Sequence, residues 1–259
     1  MGLKRCQQTG NLQPRTSVYP SMTVLLRRAK TPLRHCVLAV CLLLSGYALA
    51  GSHSMSCDGR VPEKHAQLAE GDQSTATHLQ VSRQIAGTAS VNIDVCSADL
   101  TITGSDNGAF RVTVDIGNPA AKFTAVDYLE TLDVTPEEVR LQLHLPRSVH
   151  AKVTIEVPTA VKDLETNLAR GNLLLVGDRI NGQREFNVGY GHVNFEGNKD
   201  AYESMEVNVG LGSLHDHRKD GEDHHLIVAK SFDGTGKGSV EINVGMGSVD
   251  LNPGRSQPI

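Results

Sequence analysis

A motif of the form Glu-x-Asn-Val-Gly-x-Gly, repeated in the second half of the chain, constrains the fold more than any other feature of the sequence. The strong copies are Glu185–Phe195, Glu206–His215 and Glu241–Leu251, and the weaker copies are Glu165–Leu173 and Ile93–Ile102. The motif asparagine recurs at Asn167, Asn187, Asn208 and Asn243, with gaps of 20, 21 and 35 residues. A period near 20 residues in a β-rich sequence predicts stacked coils or closely related hairpin units.

Each copy predicts a strand, a bend and a second strand. Val188 and Val193 are five residues apart, so a straight strand would place them on opposite faces. Gly189 and Gly191 permit positive φ and a sharp bend, which would turn both valines inward. The valines that we expect to stack inside at equivalent positions are Val188, Val209 and Val244. The asparagines that either stack as an amide ladder or face water are Asn187, Asn208 and Asn243.

Apolar and polar residues also alternate through the first half, for example in Val91–Val95 and Val153–Val157. A period of two predicts strands with one buried face and one wet face. The spacing of Phe123, Val126 and Leu129 predicts one short helix over 120–129. The sequence therefore predicts an all-β fold, built as a β-solenoid or prism-like ladder of short repeated strands with Gly-x-Gly corners.

The N-terminus has the layout of a secretory signal peptide. A basic stretch ends at Arg34, an apolar run spans Cys36–Leu44, and small residues follow at Ala48 and Ala50. We predict cleavage after Ala50, with translation beginning at Met1 or Met22. The apolar run is shorter than the roughly 20 residues of a membrane-spanning helix. We therefore expect a bacterial protein with no permanent membrane span, exported to the periplasm, the cell surface or the medium.

The chain divides by composition into three parts. Residues 1–50 are the N-terminal lead and signal peptide, 51–80 a flexible polar segment, and 81–259 the repetitive β domain, whose clearest repeats lie at 164–253. The net charge of −4 gives no reason to expect nucleic acid as a partner, since that needs clustered Lys and Arg.

Two cysteines, Cys57 and Cys96, remain in the predicted mature chain. In an oxidising compartment two cysteines can pair, so they are a disulfide candidate. The alternative is two separate thiols, with Cys57 in the flexible segment.

The repeat units, together with Val153–Pro158, resemble the bacterial putative adhesin domains, a family of repetitive β-strand proteins whose function is mostly unassigned. The resemblance covers roughly residues 90–253. It implies an exported β-ladder with no known catalytic residues. This chain departs from the simple pattern by the longer gap before the last repeat.

That gap contains the acidic, basic and His-rich run His215–His225. Imidazole and carboxylate are metal ligands, but a run of mixed charge is more typical of a solvated loop, and we expect no required metal site and a variable conformation here. The candidate ligands are His215, His217, His224 and His225.

No motif predicts catalysis or a cofactor. No Gly-x-Ser-x-Gly elbow occurs, and the glycine-rich Gly234–Ser239 lacks phosphate-loop spacing and precedes a strand. The leading hypothesis is an exported noncatalytic β-scaffold with an unidentified envelope, surface or protein partner. The alternatives are a ligand- or metal-binding module using 215–225 and, third, an envelope polysaccharide-active enzyme.

Overall fold

A computed structural model describes residues 57, 60–62, 66–118, 122–177 and 180–254, all within the compact unit Ser54–Ile259. The predicted signal peptide and the cleavage site after Ala50 lie outside the described residues. No helix in the described ranges is long and apolar enough to cross a membrane.

Segments in which apolar and polar residues alternate form strands throughout the described chain, and the all-β prediction is confirmed. The strands are β1 Gln73–Ser74, β2 His78–Gln84, β3 Ser90–Ser105, β4 Ala109–Ile116, β5 Leu129–Val134, β6 Glu138–Leu143, β7 Ala151–Pro158, β8 Asp163–Val176, β9 Gln183–Glu196, β10 Ser204–Asp216, β11 His224–Asp233 and β12 Ser239–Asn252. Short 3-10 helices occur at Ala125–Tyr128 and Lys199–Ala201. In the described part of the range 120–129, the predicted short helix is a 3-10 helix at Ala125–Tyr128, and the chain enters β5 at Leu129.

The strands form one mixed sheet in the order β1-β2-β4-β7-β3-β8-β9-β12-β10-β11, with β6 beside β3 and β5 beside β6. The five long strands β3, β8, β9, β12 and β10 are parallel neighbours in register. On one side the antiparallel strand β11 flanks this block. On the other side β6 and β7 are still parallel to β3, and antiparallel pairing begins with β5 and β4. The sheet is open, since no described strand joins β1 to β11, and the expected solenoid or prism-like ladder is not confirmed.

Strand β3 changes partner along its length. Its first part, Ser90–Val95, pairs with β6, and its last part, Asp99–Ser105, pairs with β7. Strand β8 lines the other side of β3 over both parts. Strands β6 and β7 therefore diverge at the middle of β3, and the sheet splits there.

The repeated strands bend at the glycines. Val188 and Val193 are both buried although they are five residues apart. Gly191 has a φ of 154°, and a side chain there would collide with the carbonyl oxygen of Gly171 on the next strand. Gly189 is required for space instead, since its added Cβ would lie 2.7 Å from the carbonyl oxygen of Ala169. The corner thus depends on both glycines, for two different reasons.

Chain length also requires the bend. A straight strand of the 14 residues of β9 would be about 46 Å long. The connection 197–203 to the parallel strand β10 can span only about 25 Å. The ends of β9 must therefore approach each other, which a corner in the middle achieves.

Equivalent residues of the repeats lie side by side. Val209 pairs with Val244, and Val244 with Val188, and all three are buried. The predicted stacking of these valines is confirmed.

The motif asparagines form an amide ladder, which settles the alternative left by the sequence. Nδ2 of Asn208 donates to Oδ1 of Asn243 (3.1 Å), and that of Asn243 to Asn187 (3.0 Å). Asn187 donates to Asn167 (3.0 Å), and Asn167 to the carboxylate of Asp94 (3.0 Å). All the donors therefore point from β10 toward β3.

Each asparagine uses its amide nitrogen a second time, to donate to the glutamate two residues earlier on its own strand. These contacts of 2.9–3.1 Å hold Glu165, Glu185, Glu206 and Glu241, which are themselves neighbours in register. A donor beside each carboxylate offsets part of the repulsion within the acidic row.

The stacking order differs from the chain order. Strand β12, the last in the chain, lies between β9 and β10. The connection 234–238 therefore packs against the connection 197–203, with Gly236 N–H donating to Tyr202 O (2.8 Å) and Gly234 N–H to Glu203 O (2.8 Å). An added Cβ at Gly234 or Gly236 would collide with the backbone of the other connection. These glycines allow two connections to pack closely, which explains the glycine-rich segment without a phosphate.

A buried arginine ties these connections to the sheet. The guanidinium of Arg184 donates to the carbonyl oxygens of Gly177 (2.8 Å), Ala201 (2.9 Å) and Lys237 (3.3 Å). Burial lowers the pKa of Arg184 to about 10. Neighbouring strands place Leu164 and Val240 at the same position, so the apolar pattern alone does not predict this arginine.

The segment 51–80 contains more structure than its composition predicts. Strands β1 and the start of β2 lie within it, and Ala66 and Leu68 pack against the core. Arg83 holds Asp72 through two hydrogen bonds of 2.5 and 2.6 Å. Cys57 forms a disulfide with Cys96 across a Cα–Cα distance of 5.4 Å, which fastens the segment to β3.

Candidate functional site

The residue between the two motif glycines is apolar in all three strong copies, and it is exposed. Tyr190 (52% exposed) pairs with Met246 (46%), and Met246 pairs with Leu211 (51%). The row continues onto β11, where Leu226 (71% exposed) lies opposite Gly212 and is followed by Ile227 (79%). We call these five residues, Tyr190, Met246, Leu211, Leu226 and Ile227, the apolar ridge.

The end of the ridge is held in an unusual conformation. Val209 pairs with Val228 and Gly212 with Leu226, so the ladder between β10 and β11 has a bulge. Leu226 there has a φ of 79°. A left-handed conformation costs a non-glycine residue about 1–3 kcal/mol. The fold thus places two large aliphatic side chains in solvent at an energetic cost.

Strand β11 is an edge of the sheet. It pairs with β10, and no other strand in the described part of the chain lies on its outer side. Its backbone on that side can accept another strand, which proteins normally discourage at an exposed apolar edge. The apolar ridge and this edge are continuous at Leu226 and Ile227.

The sequence contained a signal for the ridge. The positions between paired glycines read Tyr, Leu and Met, whereas a solvated corner would favour polar residues. Leu226 and Ile227 could not be assigned to the ridge from the sequence, because the long gap between the last two repeats gave no sign of an edge strand. The structure shows that this gap forms β11, a hairpin partner of β10.

The predicted histidine candidates are partly brought together. The ring of His215 lies 6.3 Å from that of His217 and 5.6 Å from that of His225, whereas His224 lies opposite Leu214. Both ring nitrogens of His215 have partners, Ser213 Oγ at 2.9 Å and Asp223 Oδ1 at 3.4 Å. Across the described residues, no group of three or more His, Cys, Asp or Glu side chains is arranged to hold a metal ion.

The run after His215 is anchored at Arg218, and its variable conformation stays a prediction. Arg218 donates to both carboxylate oxygens of Asp216 (2.8 Å each) and to the hydroxyl of Tyr202 (2.6 Å). Its guanidinium also lies 4.8 Å from the ring centre of Phe232 on β11. These partners lie outside the His-rich run or at its start, so composition alone did not reveal them.

One Ser-His-Asp arrangement lies on the sheet surface. Ser248 Oγ is 2.8 Å from Nδ1 of His192, and Nε2 of His192 is 3.4 Å from Asp250. A hydrolase would also need donors aimed at an oxyanion. Ser248 lies within a strand paired on both sides, so its backbone neighbours donate to β9 and β10. The three residues fit a cross-strand polar contact rather than a catalytic centre.

No family model and no curated protein sequence matches the chain. Among solved structures, it is similar to a putative cell adhesion protein from Clostridium sporogenes, at 15% sequence identity and a TM-score of 0.42. The match covers 70% of this chain and 100% of that one. A likeness this distant carries no argument about function, which is therefore argued from the chain's own surface.

Proposed function

We propose that the protein is an exported noncatalytic β-scaffold that binds a partner protein at the cell surface or envelope. The apolar ridge is the observation that carries the proposal. Exposed large apolar side chains that form a contiguous row are typical of interaction sites, whereas scattered ones are not. The signal-peptide layout supports export.

The partner that fits is a protein presenting an extended apolar segment. Such a segment can pair with the free edge of β11 through backbone hydrogen bonds and place its side chains against Leu226 and Ile227. The left-handed conformation of Leu226 supports this assignment, because strain held at a surface leucine is commonly a feature of a binding site.

Sedimentation with envelope fractions of the source cell tests the proposal. We expect the purified chain to bind, and the double variant Leu226→Ser, Ile227→Ser to bind about tenfold more weakly, since apolar anchors dominate protein interfaces. Phe123→Ser is the matched control, because it removes an exposed apolar side chain away from the ridge. A photoreactive side chain at position 227 should also cross-link one protein.

Equal binding by the double variant and the control would contradict the proposal. A dimer seen in analytical ultracentrifugation and lost in the double variant would instead show that the ridge binds a second copy of the chain.

A further inference from the structure

A cleft opens where the sheet splits. Among the described strands, the stretch Cys96–Ala98 of β3 has no ladder partner on the side where β6 gives way to β7. The cleft has a volume of about 630 Å³, which lies in the range of small-molecule sites. The disulfide of Cys96 adjoins it, which fixes the wall.

Three cations line this cleft: Arg147 before β7, Lys152 on β7 and Arg170 at the corner of β8. None forms an ion pair with an acid in the described part of the chain. The guanidinium of Arg170 lies 5.1 Å from the ring centre of Tyr190, a contact that orients it. Unpaired cations in a concave wall attract an anion.

The acids of the cleft already have partners. Asp99 accepts a hydrogen bond from Asn172 (2.7 Å), and Asp115 contacts Nδ1 of His78 (2.7 Å). Each carboxylate still has acceptor capacity for a hydroxyl group. Both would repel a multiply charged phosphate, so the lining favours a ligand that combines one negative charge with hydroxyl donors.

The remaining lining completes this chemistry. Ser97 and His150 offer further polar groups, and Ile116 and Val149 provide an apolar floor. A pyranose ring bearing a carboxylate has all the matching parts, namely an anion, hydroxyl groups and an apolar C–H face.

We propose that this cleft binds an acidic sugar of the uronic-acid class, with Arg147, Lys152 and Arg170 facing its carboxylate. Apart from Tyr190, which packs on Arg170, the site uses residues distinct from the apolar ridge, and its binding is measured without the partner protein proposed above.

Titration calorimetry on the purified full chain tests the site, with galacturonic acid as the probe and neutral galactose and inorganic phosphate as comparisons. We expect galacturonic acid to bind about tenfold more tightly than either comparison, the effect of one charge-assisted contact. The double variant Arg147→Gln, Arg170→Gln should weaken binding by about tenfold or more. Lys162→Gln is the control, because it removes an exposed cation that does not line the cleft.

Thermal melts should show the same midpoint for the double variant and the native chain, since both arginines are exposed. The proposal is overturned if galacturonic acid gives no heat at millimolar concentration or if phosphate or the neutral sugar binds as tightly. It is equally overturned if the double variant binds like Lys162→Gln.

Discussion

The side-chain amide of Asn167 donates to the carboxylate of Asp94 across 3.0 Å, and this one contact orients the asparagine ladder. A carboxylate can only accept hydrogen bonds, so Asn167 must present its nitrogen to Asp94 and its oxygen to Asn187. The same choice then passes to Asn243 and Asn208. Asp94 also accepts from Nε2 of Gln142 (3.2 Å), so donors approach it from both sides.

Replacing Asp94 with Asn should lower the free energy of unfolding by about 2 kcal/mol, because a buried amide cannot accept from both neighbours without turning a donor toward a donor. Urea denaturation followed by circular dichroism measures the change. Asp99→Asn is the matched control, since exposed Asp99 also accepts from an asparagine of β8, and we expect a change below about 0.5 kcal/mol. Equal losses in the two variants would contradict the role of Asp94.

Val209→Asp should unfold the domain. Val209 is buried between Val244 of β12 and Val228 of β11, and an unpaired carboxylate there has no partner. Leu211→Asp, two residues further along β10 and 51% exposed, should remain folded. Circular dichroism spectra and melting curves distinguish the two. A folded Val209→Asp variant would show that the repeated valines do not form the core.

The Asp72–Arg83 pair should make stability depend on acid pH. The hydrogen bond from Arg83 is the largest cause that lowers the pKa of Asp72 below its usual value. The stabilisation is therefore complete above the unfolded pKa of about 3.9, and it is lost as pH falls through the lower folded pKa.

Asp72→Asn should accordingly cost about 2 kcal/mol at pH 6, and the difference from the native chain should shrink toward zero as pH falls through the folded pKa. Urea denaturation at a series of pH values measures it. Glu138→Gln, which removes a carboxylate that is 61% exposed, should show little effect at any pH. A difference for Asp72→Asn that stays constant with pH would refute the assignment.

Mass spectrometry of the unreduced protein after alkylation should find no free thiol at Cys57 or Cys96. The bond joins residues 39 apart, and closing such a loop stabilises the folded state by about 4 kcal/mol in the chain-entropy model. The double variant Cys57→Ser, Cys96→Ser should therefore melt at a lower temperature than the native chain. Two alkylated cysteines in the native protein would contradict the bond.

The sequence predicted the corner and the in-register valines because both follow from local rules. Val188 and Val193 are five positions apart and both buried, which requires a bend, and equivalent repeats bury equivalent residues. The copies share one motif, however, and contacts between the connections set their order in the sheet, so the pattern could not show that β12 lies between β9 and β10. The sequence could not predict the cleft either, because Asp115, Arg147 and Arg170 come from distant segments that meet only at the split of the sheet.

The position of β12 has a consequence for how the chain folds. During synthesis β9 and β10 are complete before β12 exists, so the gap between them stays open until the last strand emerges. A chain that stops before residue 239 would keep two unpaired parallel edges, which are prone to aggregate. Deleting or duplicating a single repeat would also leave an unmatched edge inside the sheet. Unlike arrays whose units stack in chain order, this protein should not tolerate a change in the number of its repeats.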